Sequence, residues 1–309
     1  IAFLGPLGTY SHQATHGVLG DQTDYLPCST IRDAFGALKS TSHAIVVPQE
    51  NSTFGPVAET YDQLRRGELG SEWTIVGETV LSIQHCLFVR SGTKLEEVKE
   101  ALSHEQALGQ CNNFLTTRMP SAARIKTTST SAAVKLISSD EKYRYSAAIG
   151  PEVCGTLFLG IDLLHIGIQD EDENFTKFFV IAKNTPSNLQ TILPLISNRQ
   201  PIPDRGLIRF SPALPSRTSS SPTITQVSAR SSYTPLLPYL NAFASSVTLC
   251  RLDRRASTAG KMPFHDTYFA YVERLDGVLT DAIRWSETLK QVQSRIQALG
   301  GDATVLGFW

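Results

Sequence analysis

Cysteine is scarce and not arranged for cross-linking. Cys28, Cys86, Cys111, Cys154 and Cys250 are widely spaced, odd in number and form no Cys-x-x-Cys pair. This argues against a disulfide-stapled scaffold and predicts buried free thiols in a reducing compartment, the cytoplasm. The sequons at Asn51 and Asn174 are then incidental. Charge of one sign is also lacking. With 28 basic and 29 acidic residues the net charge is −1, which gives no general attraction for nucleic acid or acidic lipid. No apolar run is long enough to span a bilayer, so neither nucleic acid nor membrane is expected as a partner. There is no metal-ligand spacing, no Gly-x-Ser-x-Gly elbow, no nucleotide P-loop and no dinucleotide fingerprint. The chain opens at Ile1, inside a strand-like stretch, without Met or signal peptide. The true N-terminus is left open.

What is present suits a globular protein of two or three compact parts. The chain has 309 residues, 41% of them hydrophobic and 18% charged, enough to bury a sizeable core. Over residues 1–184 strand-like and helix-like stretches alternate, which predicts an α/β region. IAFLG, AIVVP, AAIG and IDLLHIGI read as strands, and WTIVGETVLSIQHCLFVR as one or two. Residues 11–19, KLEEVKEALS, EQALGQCNNFLTTR and SAAVKLISS read as helices. Residues 185–204, with four prolines, read as a linker. Residues 205–309 give the order βαββαβ, a ferredoxin-like unit. A Ser/Thr/Pro-rich insertion at about 212–232 is expected to be an exposed loop.

Five short stretches offer chemistry. GPLGTYS puts Thr9, Tyr10 and Ser11 where a strand turns into a helix, a ready place for a carboxylate or phosphate. PQENSTFG gathers Glu50, Asn51, Ser52 and Thr53 at a second strand end, where α/β sheets bind ligands. HEQAL places His104 and Gln106 at a helix start, and TTSTSAA does the same for Ser129 and Thr130. DEDENFTKFFVI runs from four acids into Asn174, Phe175, Thr176, Lys177 and Phe178, then into an apolar strand. Taken singly, each is also what an ordinary cap or turn looks like.

In order and together, the five stretches resemble prephenate dehydratase, and with the βαββαβ unit the resemblance covers nearly the whole chain. It implies a catalytic domain over 1–184 built like a type II periplasmic binding protein, with lobe one at 1–78 and 167–184 and lobe two at 79–166. It also implies a C-terminal ACT regulatory domain. The implied reaction is decarboxylative dehydration of prephenate to phenylpyruvate, needing no metal or organic cofactor. Thr176, Glu50 and His104 would be catalytic. Thr9, Tyr10, Ser11, Asn51, Ser52, Thr53, Gln106, Ser129, Thr130, Asn174, Lys177 and Phe178 would bind substrate. An arogenate dehydratase, or a binding homologue that has lost the chemistry, would share these features. Two departures stand out. Lys177 replaces the family's arginine, keeping charge but not the bidentate fork. The family's Glu-Ser-Arg-Pro effector motif reads Asp253-Arg254-Arg255-Ala256, which puts regulation by L-phenylalanine in question. A homodimer or homotetramer is the implied assembly.

Overall fold

The computed structural model describes residues 1–20, 23–196, 202–214, 235–257, 265–275 and 281–309. The chain divides into two compact units, one of Ile1–Val57 with Glu78–Val180 and one of Ala58–Gly77 with Ile181–Trp309.

The first unit opens with β1 (Ala2–Leu4), α1 (Tyr10–Leu19), β2 (Leu26–Cys28), α2 (Ile31–Ser40), β3 (Ala44–Asn51) and β4 (Gly55–Pro56). β1 lies between β2 and β3, parallel to both, and β4 folds back antiparallel on the end of β3. The β3 run is buried on both faces, as a strand of a parallel sheet should be. Local signals set the helices. Thr9 caps α1 by accepting from His12 N, and Thr30 with Asp33 forms a full capping box on α2. The chain leaves this unit through α3 (Ala58–Leu64) and returns along β5 (Trp73–Ser82).

A second sheet follows, with β6 (Cys86–Arg90), β7 (Glu100–Ser103), α4 (Glu105–Gln110), α5 (Asn112–Arg118), β8 (Ala123–Lys126), α6 (Thr130–Ser139), β9 (Ser146–Gly150), α7 (Cys154–Leu157) and β10 (Ile161–Ile166). Its order is β10-β6-β9-β7-β8. Side chains alternate across β6: Leu87 and Val89 join a core with Leu108 and Leu115, while Cys86 and Phe88 join another with Val134 and Ile137. β11 (Phe175–Lys183) then runs beside β3.

The second unit holds α3, the start of β5, α8 (Pro186–Ile192), β12 (Arg205–Ser211), α9 (Leu237–Asn241), β13 (Thr248–Ala256), β14 (Asp266–Glu273), α10 (Ala282–Ala298) and β15 (Asp302–Phe308). The strands order as β13-β14-β12-β15, antiparallel throughout. That is the ferredoxin-like arrangement expected from βαββαβ. Trp285, Leu289, Val292 and Ile296, spaced along one face of α10, pack on Ile208, Phe210, Ala270 and Val272.

Three expectations need correction. KLEEVKEALS is not a helix: Leu95–Glu97 makes one 3-10 turn and Glu100–Ser103 is strand β7. Its buried Ala101 and Leu102 sit between β8 and β9, so sheet pairing overrides local helix preference. The proline-rich linker begins as helix α8, because Pro186 occupies the first helical position, where its missing N–H costs nothing. Cys28, Cys86, Cys111 and Cys154 are buried free thiols, but Cys250 is exposed, on edge strand β13. Most of the expected Ser/Thr/Pro loop, residues 215–234, lies outside the described residues.

Candidate active site

A cavity of about 460 Å³ opens within the first unit, between the two sheets, well sized for a small molecule. Eleven of the sequence-predicted residues line it: Thr9, Tyr10 and Ser11 at the start of α1, Asn51 from β3, His104 and Gln106 at the start of α4, Ser129 and Thr130 at the start of α6, Asn174 just before β11, and Thr176 and Phe178 on it. Residues as distant in sequence as Thr9 and Phe178 meet because β1, β3 and β11 share one sheet, while α4 and α6 follow strands of the other.

Three helices present N-terminal ends to this space. Thr9, His104 and Ser129 cap them, the last by accepting from Ala132 N at 3.0 Å. First-turn N–H groups have no acceptor within their own helix, and the helix dipole adds positive potential. No Asp, Glu, Lys or Arg stands among the described lining residues. The wall suits an anionic ligand held by neutral donors.

The GPLG turn is seated against the second sheet's helices. Ser131 Oγ donates to Leu7 O, and Cys154 Sγ to Gly8 O at 3.2 Å. Gly8 has φ +82°, and a Cβ there would come within 2.7 Å of Ser131 Oγ. Only glycine meets both demands.

At the end of β3, Asn51 organises β11. Thr53 N and Phe54 N each donate to Asn51 Oδ1 at 3.0 Å. The amide orientation is therefore fixed, and Nδ2 donates to Asn174 Oδ1 at 2.7 Å and Thr176 Oγ1 at 3.0 Å. With a lone pair of Thr176 used in this way, its own proton is available to the cavity. Ser52 staples the same edge, its Oγ accepting from Phe175 N and donating to Glu173 O. Ser52, Thr53, Glu50 and Lys177 do not line the cavity. Lys177 falls between Thr176 and Phe178, so strand alternation turns it to the other face.

Side chains that the sequence reading passed over, His85, Gln110, Ile83 and Phe54, complete the wall. His85 is buried, and its Nδ1 lies 2.6 Å from Tyr10 Oη while its Nε2 lies 2.8 Å from Gln110 Oε1. Burial lowers its pKa, against a smaller upward pull from Gln110, and burial raises that of Tyr10 well above the usual phenol value. Both groups are neutral near pH 7. A lone histidine before a strand carries no signal of this, since Tyr10 is distant in sequence. Ile83, Phe54 and Phe178 supply an apolar side.

Among the described residues no helix is long and apolar enough to cross a membrane. Asp253, Arg254 and Arg255 lie on β13 in the second unit and are paired within it. Arg255 donates twice to Asp62, Asp253 accepts from Arg251, and Arg254 stands 3.6 Å from Asp266.

Known proteins resemble this chain in sequence and in fold. A family model described as prephenate dehydratase matches residues 1–186. The bifunctional chorismate mutase/prephenate dehydratase of Aquifex aeolicus is 37% identical over 184 residues, 59% of this chain and 48% of that protein. The chain thus spans about half the length of the curated relatives it matches. A prephenate dehydratase of Arthrobacter aurescens, solved with L-Phe, overlays with TM-score 0.71 at 22% identity, covering 99% of this chain and 88% of that one. GqqA, described as a quorum-quenching acylase, overlays with TM-score 0.72 at 18% identity, covering 99% and 96%. These two likenesses show the fold alone.

Proposed function

The chain belongs to the prephenate dehydratase family, and we propose that it converts prephenate to phenylpyruvate, a step toward L-phenylalanine. The observation that carries this reading is the contact between Asn51 and Thr176, which leaves a hydroxyl donor facing a cavity built for an anion. The ring carbon–oxygen bond breaks with its electron pair on oxygen. The ring carboxylate leaves as carbon dioxide, and its bonding pair completes the aromatic ring. The departing oxygen takes up one proton and becomes water, so the dianion consumes one proton overall.

Thr176 hydrogen-bonds and orients the departing oxygen. A threonine hydroxyl is too weak an acid to be the proton source by itself. His104 is exposed at the cavity, and its Nδ1 accepts from Gln106 N, which leaves the proton on Nε2. It is the proposed route from solvent. The N-termini of α1 and α6 would take the carboxylates, and Phe178, Ile83 and Phe54 would desolvate the one that is lost. Glu50 is on β3, outside the cavity lining, and takes no bond-making part in this scheme. Arogenate carries an ammonium group, and no carboxylate among the described lining residues would pair with it. This favours the keto acid.

The second unit is proposed to be an ACT regulatory domain, on the strength of its strand order. It would bind L-phenylalanine, if at all, through the altered stretch on β13. A homodimer or homotetramer is the proposed assembly, and the cytoplasm, which suits buried free thiols, the proposed compartment. The test is to incubate the purified chain with prephenate or with arogenate and follow the product of each. Phenylpyruvate should accumulate from prephenate faster than phenylalanine from arogenate. No phenylpyruvate would sink the reading, and a preference for arogenate would reassign the substrate.

A further inference from the structure

Tyr10 is among the residues lining the cavity, and the single proton of its phenol is already committed. Two arrangements satisfy the buried ring of His85. If Nε2 carries the ring proton, it donates to Gln110 Oε1, and Nδ1 accepts from Tyr10 Oη at 2.6 Å. If Nδ1 carries it, the ring donates to Oη, the phenol proton turns to Gln84 O at 3.1 Å, and the Gln110 amide turns over so that its NH2 donates to Nε2. In both cases the proton of Tyr10 goes to an internal acceptor. To any ligand that reaches it the oxygen offers only lone pairs.

A doubly ionised keto acid such as prephenate has one hydrogen-bond donor. Its carboxylates and ketone only accept, and the ring hydroxyl is the exception. Thr176, which lines the same cavity, has the opposite polarity, its acceptor side taken by Asn51 and its proton available. We propose that Tyr10 accepts a hydrogen bond from the substrate's ring hydroxyl while Thr176 donates to the same oxygen, so that the two residues together recognise and aim the leaving group. His85 and Gln84 act through Tyr10 and are positioning residues. The backbone N–H of Tyr10 remains free to serve a carboxylate, so one residue would contact the ligand in two ways. This inference rests on the prephenate reading of the site.

The test compares a ligand that has the hydroxyl with one that lacks it. Tyr10→Phe keeps the ring that packs edge-on against His85 at 5.7 Å. It should lower kcat/KM for prephenate about tenfold, as expected for one lost hydrogen bond in a buried site. The inhibition constant of the product phenylpyruvate, which has no ring hydroxyl, should stay within about twofold. His85→Leu should show the same split, and the double variant should lose little more than the larger single loss. Equal weakening toward both ligands, or no change for prephenate, would overturn the assignment. Additive losses would detach His85 from Tyr10 and overturn its positioning role. If the unaltered chain produced no phenylpyruvate at all, the functional reading itself would fail, and this inference with it.

Discussion

Asn51 donates from Nδ2 to Thr176 Oγ1 across 3.0 Å, and two backbone N–H groups at its Oδ1 prevent the amide from turning over. The direction of the Thr176 proton is therefore set by a residue that carries no charge. Asn51→Asp preserves the turn, because a carboxylate accepts from the same N–H groups. It also reverses the contact, since Thr176 must then donate to the aspartate. We expect kcat to fall about 100-fold, as when a polar contact to a developing oxyanion is removed. Asn51→Ala, which merely frees the hydroxyl, should be milder. Steady-state kinetics of both variants check this, and an Asn51→Asp enzyme faster than Asn51→Ala would contradict it.

Gly8 has no room for a side chain and lies at positive φ. Gly8→Ala must both strain the backbone and push against Ser131. A loss of about 1–3 kcal/mol in stability is expected, with a raised KM because the α1 N-terminus is displaced. Urea denaturation and substrate titration measure the two effects. Unchanged values of both would mean that the turn is not seated on α6 as described.

Five separated motifs showed which stretches meet at the cavity, and eleven of the predicted residues line it. Each motif joins a strand end or a helix start to small and hydroxylated residues, a local pattern that sequence displays directly. His85 left no such trace. Its partners are 75 and 25 residues away, and only the sheet order brings them together. The strand at Glu100–Ser103 was hidden for a related reason, since its identity comes from the neighbours on either side. The C-terminal unit was legible in outline because α10 repeats apolar residues at helical spacing between short strand-like runs.

Two buried histidines predict the response to acid. Burial lowers the pKa of His12, with the charge of His16 adding to it, and burial also lowers that of His85. The unfolded chain then binds more protons than the folded one once pH drops below about 6.5. Stability should be fully present above that value and decline as pH falls through the folded-state values, by up to about 1.4 kcal/mol per pH unit for each group. The exposed carboxylates with lowered pKa, such as Asp162 and Glu141, begin to respond only at lower pH. Urea midpoints at pH 7.5 and 5.5 should differ in that direction, and the difference should shrink in His12→Asn. A higher midpoint at pH 5.5 would contradict the sign.

Regulation should be weak. The three residues standing where the effector motif is expected are engaged with Asp62, Arg251 and Asp266, so an amino acid binding there must compete with existing ion pairs. L-phenylalanine is expected to inhibit only slightly at millimolar concentration. Strong, cooperative inhibition at low concentration, seen in an activity titration, would show that the site on β13 is intact in another form.

The central claim is that Thr176 assists departure of the ring hydroxyl of prephenate. Its most direct test is the rate of phenylpyruvate formation by the unaltered chain, Thr176→Ser and Thr176→Ala, measured side by side over a range of prephenate concentrations. The account predicts turnover by the unaltered chain and most of it by Thr176→Ser. For Thr176→Ala it predicts a kcat lower by about 100- to 1000-fold with KM changed little, the mark of a contact that strengthens in the transition state. Near-normal kcat in Thr176→Ala would contradict it.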